Sequence, residues 1–343
     1  MRTERESRDK NDRSVRGPEA ADGQNPLFRY SVIIPHRDRY ELLTKLVASI
    51  PERDDIEVLV VDDASDAPTR EKLTGLETAR RHLRLLRPPA AAPQGAGWAR
   101  NIGIDQAAGD YLVFADSDDG FTSGAFDIFD AYAAKGNFDL LVCKASAVKA
   151  DGSASSRTEF TNFLIDAAMR MGSHGLIDRR EILARIDPPW AKLVRRELVR
   201  QHGLRFDEIY HSNDVLFNLR VLTHARCIEV CAQAVYQVLD HPTSLIRVQS
   251  AVMLEERFDA CLRFNREFAQ QGYAGRSFSV TGGYVWQARS YGVAKMCELV
   301  RRSLAHDVRL FYPLHRYLGA LIMKLRGVHP LQIRFYVVFG RRE

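Results

Sequence analysis

Between residues 30 and 142 the chain alternates short, almost wholly apolar runs with segments whose apolar residues recur at helical spacing. The runs are Tyr30–Ile34, Val58–Val61, Leu83–Leu86, Tyr111–Ala115 and Phe138–Val142. Between the first two, Leu42, Leu43, Leu46, Val47 and Ile50 share one helical face that ends at Pro51. Further helices are expected near 69–80, from Gly95 through Gly103, and near 123–134. A strand that is apolar on both sides needs cover on both faces. Helices crossing between such strands supply it, so the expected fold is α/β, a mainly parallel sheet flanked by helices. Ligands of such sheets sit outside the carboxyl ends of the strands. Here three of those ends carry Pro35-His36-Arg37, Asp62-Asp63 and Asp116-Ser117-Asp118-Asp119, which the topology brings to one edge.

Residues 26–146 therefore read as a nucleotide-binding half. Beyond them 151–160 are polar and loop-like. The span 161–250 mixes short helices with strands expected at Ile228–Val230 and Val235–Leu239. From 251 a mostly helical extension follows, with hydrophobic rhythm at 253–268 and 283–304. Residues 1–24 hold six basic and six acidic side chains and almost no apolar ones, and 1–25 read as a disordered leader, not a signal peptide. No run reaches the roughly 18 apolar residues that would span a bilayer. The five cysteines (143, 227, 231, 261 and 297) lack a C-x-x-C pair and read as free thiols of a reducing compartment. A cytoplasmic protein is expected.

The formal charge of +5 is mild and gives no reason to expect nucleic acid. Its distribution is uneven: residues 301–343 carry nine Lys and Arg against Asp307 and Glu343. Arg309-Leu-Phe-Tyr312 and Arg316–Arg326 mix these cations with apolar residues at helical spacing. Such a tail suits an anionic membrane surface on the inner face, or an amphipathic helix packed on the preceding domain.

Carboxylates clustered directly after a buried strand repel one another unless something neutralises them. Oxygen-only ligands suit Mg²⁺ or Mn²⁺, with water and phosphate oxygens completing the shell. The bland alternative is a solvated helix start, since Thr122-Ser123 follows. Asp62-Asp63 on the same edge are available to a nucleobase or ribose. Arg100 and Asn101 open a helix that can face a base or phosphate.

The motifs Ser-Val-Ile-Ile-Pro35, Val-Val-Asp62-Asp63-Ala-Ser65, Gly97-Trp-Ala-Arg100-Asn101-Ile-Gly103 and Phe-Ala-Asp116-Ser-Asp118-Asp119 appear in this order and spacing. Together they resemble the family 2 glycosyltransferases, inverting enzymes of the GT-A (Rossmann-like) fold. Pro189-Trp190-Ala-Lys192-Leu and Asn213-Asp214-Val-Leu-Phe217 resemble that family's acceptor-side segments, which extends the likeness over 26–250 and makes 147–250 an acceptor half. The resemblance implies that Pro35 with its neighbour Arg37, Asp63, Arg100 and Asp116 hold a nucleotide, usually through uracil. It implies that Asp118 with Asp116 binds the metal and that Asp214 is the general base. The family often has Val-Tyr-Asn where this chain has His36-Arg37-Asp38, and a Glu where it has Asn213.

The implied reaction moves a sugar from a nucleotide-diphosphate donor, UDP-linked for preference, to a hydroxyl of a glycan or lipid-linked acceptor by single displacement. Polysaccharide or glycolipid synthesis is the typical setting. From the residues alone, Asp214 serves equally as the N-cap of a helix over Val215–Val221. Trp190 stacks on a sugar or is core, and Lys192 pairs with phosphate or is solvated. His241 touches the diphosphate or lies in an ordinary turn. Three enzyme rivals fit less well. A haloacid-dehalogenase-like phosphatase would use Asp116 as nucleophile, but Gly120 stands where that motif has Thr or Val. A nucleotidyltransferase would need a Gly-rich phosphate loop after the first strand. A dinucleotide oxidoreductase would need glycine at position 100, which is Arg. A non-catalytic nucleotide- or carbohydrate-binding scaffold is the alternative outside enzymes.

Overall fold

The computed structural model describes residues 28–88, 95–171, 178–240, 250–273 and 280–340. The 1–25 segment and His241 lie outside these described residues.

Strands β1 (Tyr30–His36) and β2 (Ile56–Asp62) are buried at every position and run parallel, with Ile34 opposite Val60 and His36 opposite Asp62. β3 (Leu83–Leu86) joins β2 and β4 (Tyr111–Phe114) joins β1, both parallel. Alternate side chains along β1 reach opposite cores, as the two-residue period of a strand requires. Val32 and Ile34 meet Leu43, Leu46 and Val47 of helix α1 (Tyr40–Ser49). Ile33 faces the other way, into a core shared with Ile104, Phe114 and Phe217. Helix α2 (Ala67–Ala79) starts where the Asp66 carboxylate accepts the Thr69 amide at 2.8 Å. Helix α3 (Ala96–Gln106) lies close on β1: a Cβ at Gly103 would sit 2.3 Å from Ile33 Cγ2.

The remaining strands are β5 (Gly120–Phe121), β6 (Leu140–Lys149), β7 (Lys192–Arg195) and β8 (Ile228–Asp240), and the eight form one sheet in the order β3-β2-β1-β4-β7-β6-β8-β5. β6 and β8 are parallel, while β7 runs antiparallel to β4 and β6, and β5 antiparallel to β8. The sheet is therefore mixed, with its wholly parallel part at β3-β2-β1-β4. β5 and β7 are too short to leave a period in the sequence. β8 is one strand where the sequence pattern shows two, because register shifts near Cys143 and Lys144 of β6 absorb the break.

Helices α4 (Ala125–Ala133), α5 (Glu159–Arg170), α6 (Arg179–Leu183), α7 (Arg196–Gln201) and α8 (Val215–His224) complete the layers. The extension is helical: α9 (Ala251–Phe268), α10 (Gly282–Gln287), α11 (Val293–Ala305), α12 (Leu314–Leu325) and α13 (Pro330–Phe339). It is also packed onto the sheet domain. Phe264 and Phe268 of α9 and Phe335 of α13 enter the core that holds Ile33, and the Phe335 ring meets Phe163 of α5 edge-on at 5.8 Å. Among the described residues no helix is long and apolar enough to cross a membrane.

Candidate functional site

The carboxyl ends of β1, β2 and β4 open into a cleft of about 1000 Å³, lined among others by Pro35, Arg37, Asp63, Arg100, Asp116, Asp118, Trp190, Asn213 and Asp214. Residues from positions 35 to 214 thus meet at one rim.

On the β2 side the acids are taken up by backbone. Both oxygens of Asp63 accept the Gly95 amide, at 3.0 and 2.9 Å, where α3 begins. Asp62 Oδ1 accepts the Ser65 amide at 3.1 Å. The Arg37–Arg39 loop is tied to this turn, for the Asp38 amide donates to Ser65 Oγ and Asp38 Oδ1 accepts the Asp66 amide. The first turn of α3 lies so close to the 207–213 loop that a Cβ at Gly97 would sit 2.1 Å from the Asp207 carbonyl oxygen. That approach sets Arg100 within reach of two partners. Its Nη1 donates to Asn213 Oδ1 at 2.8 Å and its Nη2 to Asp116 Oδ1 at 2.6 Å, with Arg100 itself buried. Of these two partners only Asp116 is acidic, and the guanidinium also acts on Asp214.

The acidic loop after β4 is held by β8. The Asp116 amide donates to Tyr236 Oη at 2.9 Å, Asp119 Oδ1 accepts the Leu239 amide at 2.8 Å, and the Thr122 amide reaches the Val235 carbonyl. Its carboxylates crowd each other. Burial, and then the charge of Asp116, raise Asp118 above the usual carboxylate range; burial together with Asp116 and Asp118 raises Asp119 well above it. Arg39 offsets part of this by donating to Asp118 Oδ2 at 2.6 Å. A divalent cation fits such a donor set chemically: oxygen ligands, excess negative charge and an open cleft beside them. Among the described residues no group of three or more His, Cys, Asp and Glu side chains converges to hold one.

Asp214 stands at the N-cap position of α8 but its side chain makes no capping bond, so the carboxylate is left for the cleft. Burial raises it above the ordinary aspartate range, while Arg100 pulls it down. Its main chain is fixed from behind. Lys192 Nζ donates to the Ile186 and Pro188 carbonyls and to Asn218 Oδ1, at 2.8, 2.7 and 2.8 Å. Asn218 in turn donates to the Asp214 carbonyl at 2.9 Å and to that of Asp187. Burial lowers Lys192 to about 7, yet three acceptors around Nζ match the three N–H bonds of the charged form.

Lys192 is neither solvated nor a phosphate contact: it is buried with all three donors engaged inside the protein. Trp190 is mostly core, its ring stacked on Tyr236 at 5.4 Å, with an edge in the cleft wall. His241 lies outside the described residues. Sequence reasoning missed Arg39, although it ends the His36–Arg39 run, and Arg257, which enters the lining from α9 with no local signal. His36, expected at this edge as part of Pro35-His36-Arg37, lines the cleft almost wholly buried, with neither ring nitrogen partnered.

Residues 31–203 match the family model described as Glycosyl transferase family 2. The chain is 26% identical over 216 residues to poly(ribitol-phosphate) beta-N-acetylglucosaminyltransferase TarS of Staphylococcus aureus, covering 61% of this chain and 35% of that protein. It thus spans about a third of that relative's length. It is 25% identical over 259 residues to the uncharacterized glycosyltransferase EpsJ of Bacillus subtilis, covering 73% of each. The crystal structure of S. aureus TarS 1-349 in complex with UDP-GlcNAc superposes with a TM-score of 0.55 at 19% identity, over 83% of this chain and 93% of that one. At that identity the structural likeness is one of fold.

Proposed function

The chain belongs to glycosyl transferase family 2 and has the GT-A fold of its structural neighbours; from this we propose that it transfers a sugar from a UDP-sugar to a hydroxyl of a glycan or glycolipid. The carrying observation is the single rim on which Asp63, Arg100, Asp116, Asp118 and Asp214 meet. The UDP-GlcNAc bound by the S. aureus neighbour supports a uridine donor. We assign the nucleotide to the half formed by residues 26–146, with Pro35, Arg37, Asp63 and Arg100 around it, and the acceptor to residues 147–250.

The residues then divide the work. The acceptor oxygen forms a bond to the anomeric carbon from the face opposite the diphosphate. The anomeric carbon–diphosphate oxygen bond breaks, and the acceptor's proton passes to an Asp214 oxygen. A base already raised by burial takes that proton near neutral pH more readily than an ordinary aspartate, and such help is worth roughly 10²–10⁴ in rate. Arg100 holds Asp116 through Nη2 and its charge pulls the Asp214 carboxyl back toward the ordinary range. Asp118 and Asp116 would hold Mn²⁺ or Mg²⁺, which when bound offsets negative charge on the leaving diphosphate. Trp190 and Asn213 wall the sugar side. The free thiols among the described residues fit a cytoplasmic setting, and we place the protein peripherally on the inner membrane face, where lipid-linked acceptors would be met.

The test is a panel of UDP- and GDP-sugars incubated with the protein and Mn²⁺. Slow release of UDP from at least one donor, abolished in Asp214→Asn, is the expected result. No release from any donor, with Asp116 instead becoming phosphorylated, would sink the reading in favour of phosphatase chemistry.

A further inference from the structure

Helix α12 wears its apolar face outward. Leu314, Leu318, Leu321, Ile322 and Leu325 recur at three- and four-residue intervals, which at about 3.6 residues per turn places them on one stripe. Leu314 and Leu325 are 73% and 79% exposed, and the three between them are at least half exposed. The opposite face is the packed one: Met323 is buried, and Gly319 lies so near Tyr336 of α13 that a Cβ there would be 2.5 Å from its hydroxyl. A helix docked only on its own domain would show the reverse, apolar residues in and polar residues out. A contiguous outward stripe of this kind marks a partner surface.

Charge identifies the partner. Exposed Lys324 lies on one border of the stripe, and exposed His315 and Arg326 on the other, while Asp307 is the only carboxylate between 301 and 340. A second copy of the chain laid face to face would bring these like charges together. An apolar slab with an anionic surface accommodates both the stripe and its rims. The helix is also tied to the cleft: Tyr312, just ahead of it, accepts a hydrogen bond from Arg185 Nη2 at 3.3 Å, and Arg185 leads into Pro188–Trp190 of the cleft wall. We propose that α12 lies in the interface of an anionic bilayer, with Leu314, Leu318, Leu321, Ile322 and Leu325 inserted and Lys324 and Arg326 at the headgroups.

This inference deepens the inner-face placement proposed above and rests on it, so its test reads binding and not sugar transfer. The full chain is sedimented with phosphatidylcholine vesicles, alone or with about a third phosphatidylglycerol. Binding to the mixed vesicles is expected, at least tenfold weaker to phosphatidylcholine alone. It should fall about tenfold or more in Leu318→Asp/Leu321→Asp, which exchanges inserted apolar groups for charge. In Lys324→Glu/Arg326→Glu the preference for anionic vesicles should vanish. All these positions are exposed, so both variants should keep the parent Tm. Equal sedimentation of parent and variants overturns the proposal, as does no vesicle binding together with self-association that the leucine substitutions abolish. Vesicle binding without UDP release would sink the transfer reading alone; the converse would sink this one alone.

Discussion

Two strand ends meet at the cleft, and their acids are treated in opposite ways. After β2, Asp62 and Asp63 each accept a backbone amide, from Ser65 and Gly95. After β4, Asp116, Asp118 and Asp119 repel each other, and the partners of the first two are arginine side chains. Backbone amides cannot move away, whereas side-chain guanidinium groups can yield to a ligand. The first end is therefore fixed in shape, and the second leaves acidic groups whose partners can yield. Lys192 and Asp214 repeat the contrast, one with every donor engaged and the other with a carboxylate free of the cap it was placed to make.

Substitutions sharpen that division. The largest effect is expected at Asp214→Asn, where kcat should fall by roughly 10²–10⁴. The folded carboxyl is raised above its unfolded value, so the ionised form costs stability as pH rises through that window. Removing it should leave Tm unchanged or higher. For the same reason the acid limb of the parent's kcat/KM profile should lie above the ordinary aspartate pKa, since the base must be ionised to act. Lys192→Met is the opposite case. It strands buried acceptors and nearby carboxylates, and denaturant melts should show a loss of about 3 kcal/mol, with kcat lowered through the loosened Asp214 backbone.

Smaller effects separate the two strand ends directly. Asp118→Asn should weaken Mn²⁺-supported UDP binding by roughly 10–100-fold, the scale seen when metal-site support is removed, while relieving repulsion and raising Tm without metal. Asp63→Ala should cost about 1 kcal/mol of stability, because α3 loses the acceptor at its first amide. If Asp63→Ala spares stability, the β2 end is not structural. The smallest shift is expected for Arg39→Ala. Its partly exposed pair with Asp118 is worth about 0.5–1 kcal/mol, so calorimetry should show Mn²⁺ binding tightened a few-fold.

The half of the cleft built by β1, β2 and β4 was legible because each parallel strand is a local apolar run and delivers its cleft-lining residue at its own end. Tyr30–Ile34, Val58–Val61 and Tyr111–Ala115 announce both the strand and the position of Pro35, Asp63 and Asp116. The other wall has no such economy. Lys192 sits on a four-residue strand whose pattern is too short to read, and its role depends on Asn218, one helix away. Arg257 reaches the cleft from a helix whose periodicity reports only its buried face. The basic tail left two readings open because spacing defines a stripe but not the side it faces. α13 turns Phe335 into the core, and α12 turns its stripe to solvent.

The most direct measurement is a calorimetric titration of UDP into the protein with and without Mn²⁺, repeated on Asp118→Asn. Binding that needs the metal and is largely lost in the variant is the expected result. UDP binding of equal strength with metal absent, or unaltered by the substitution, would contradict it.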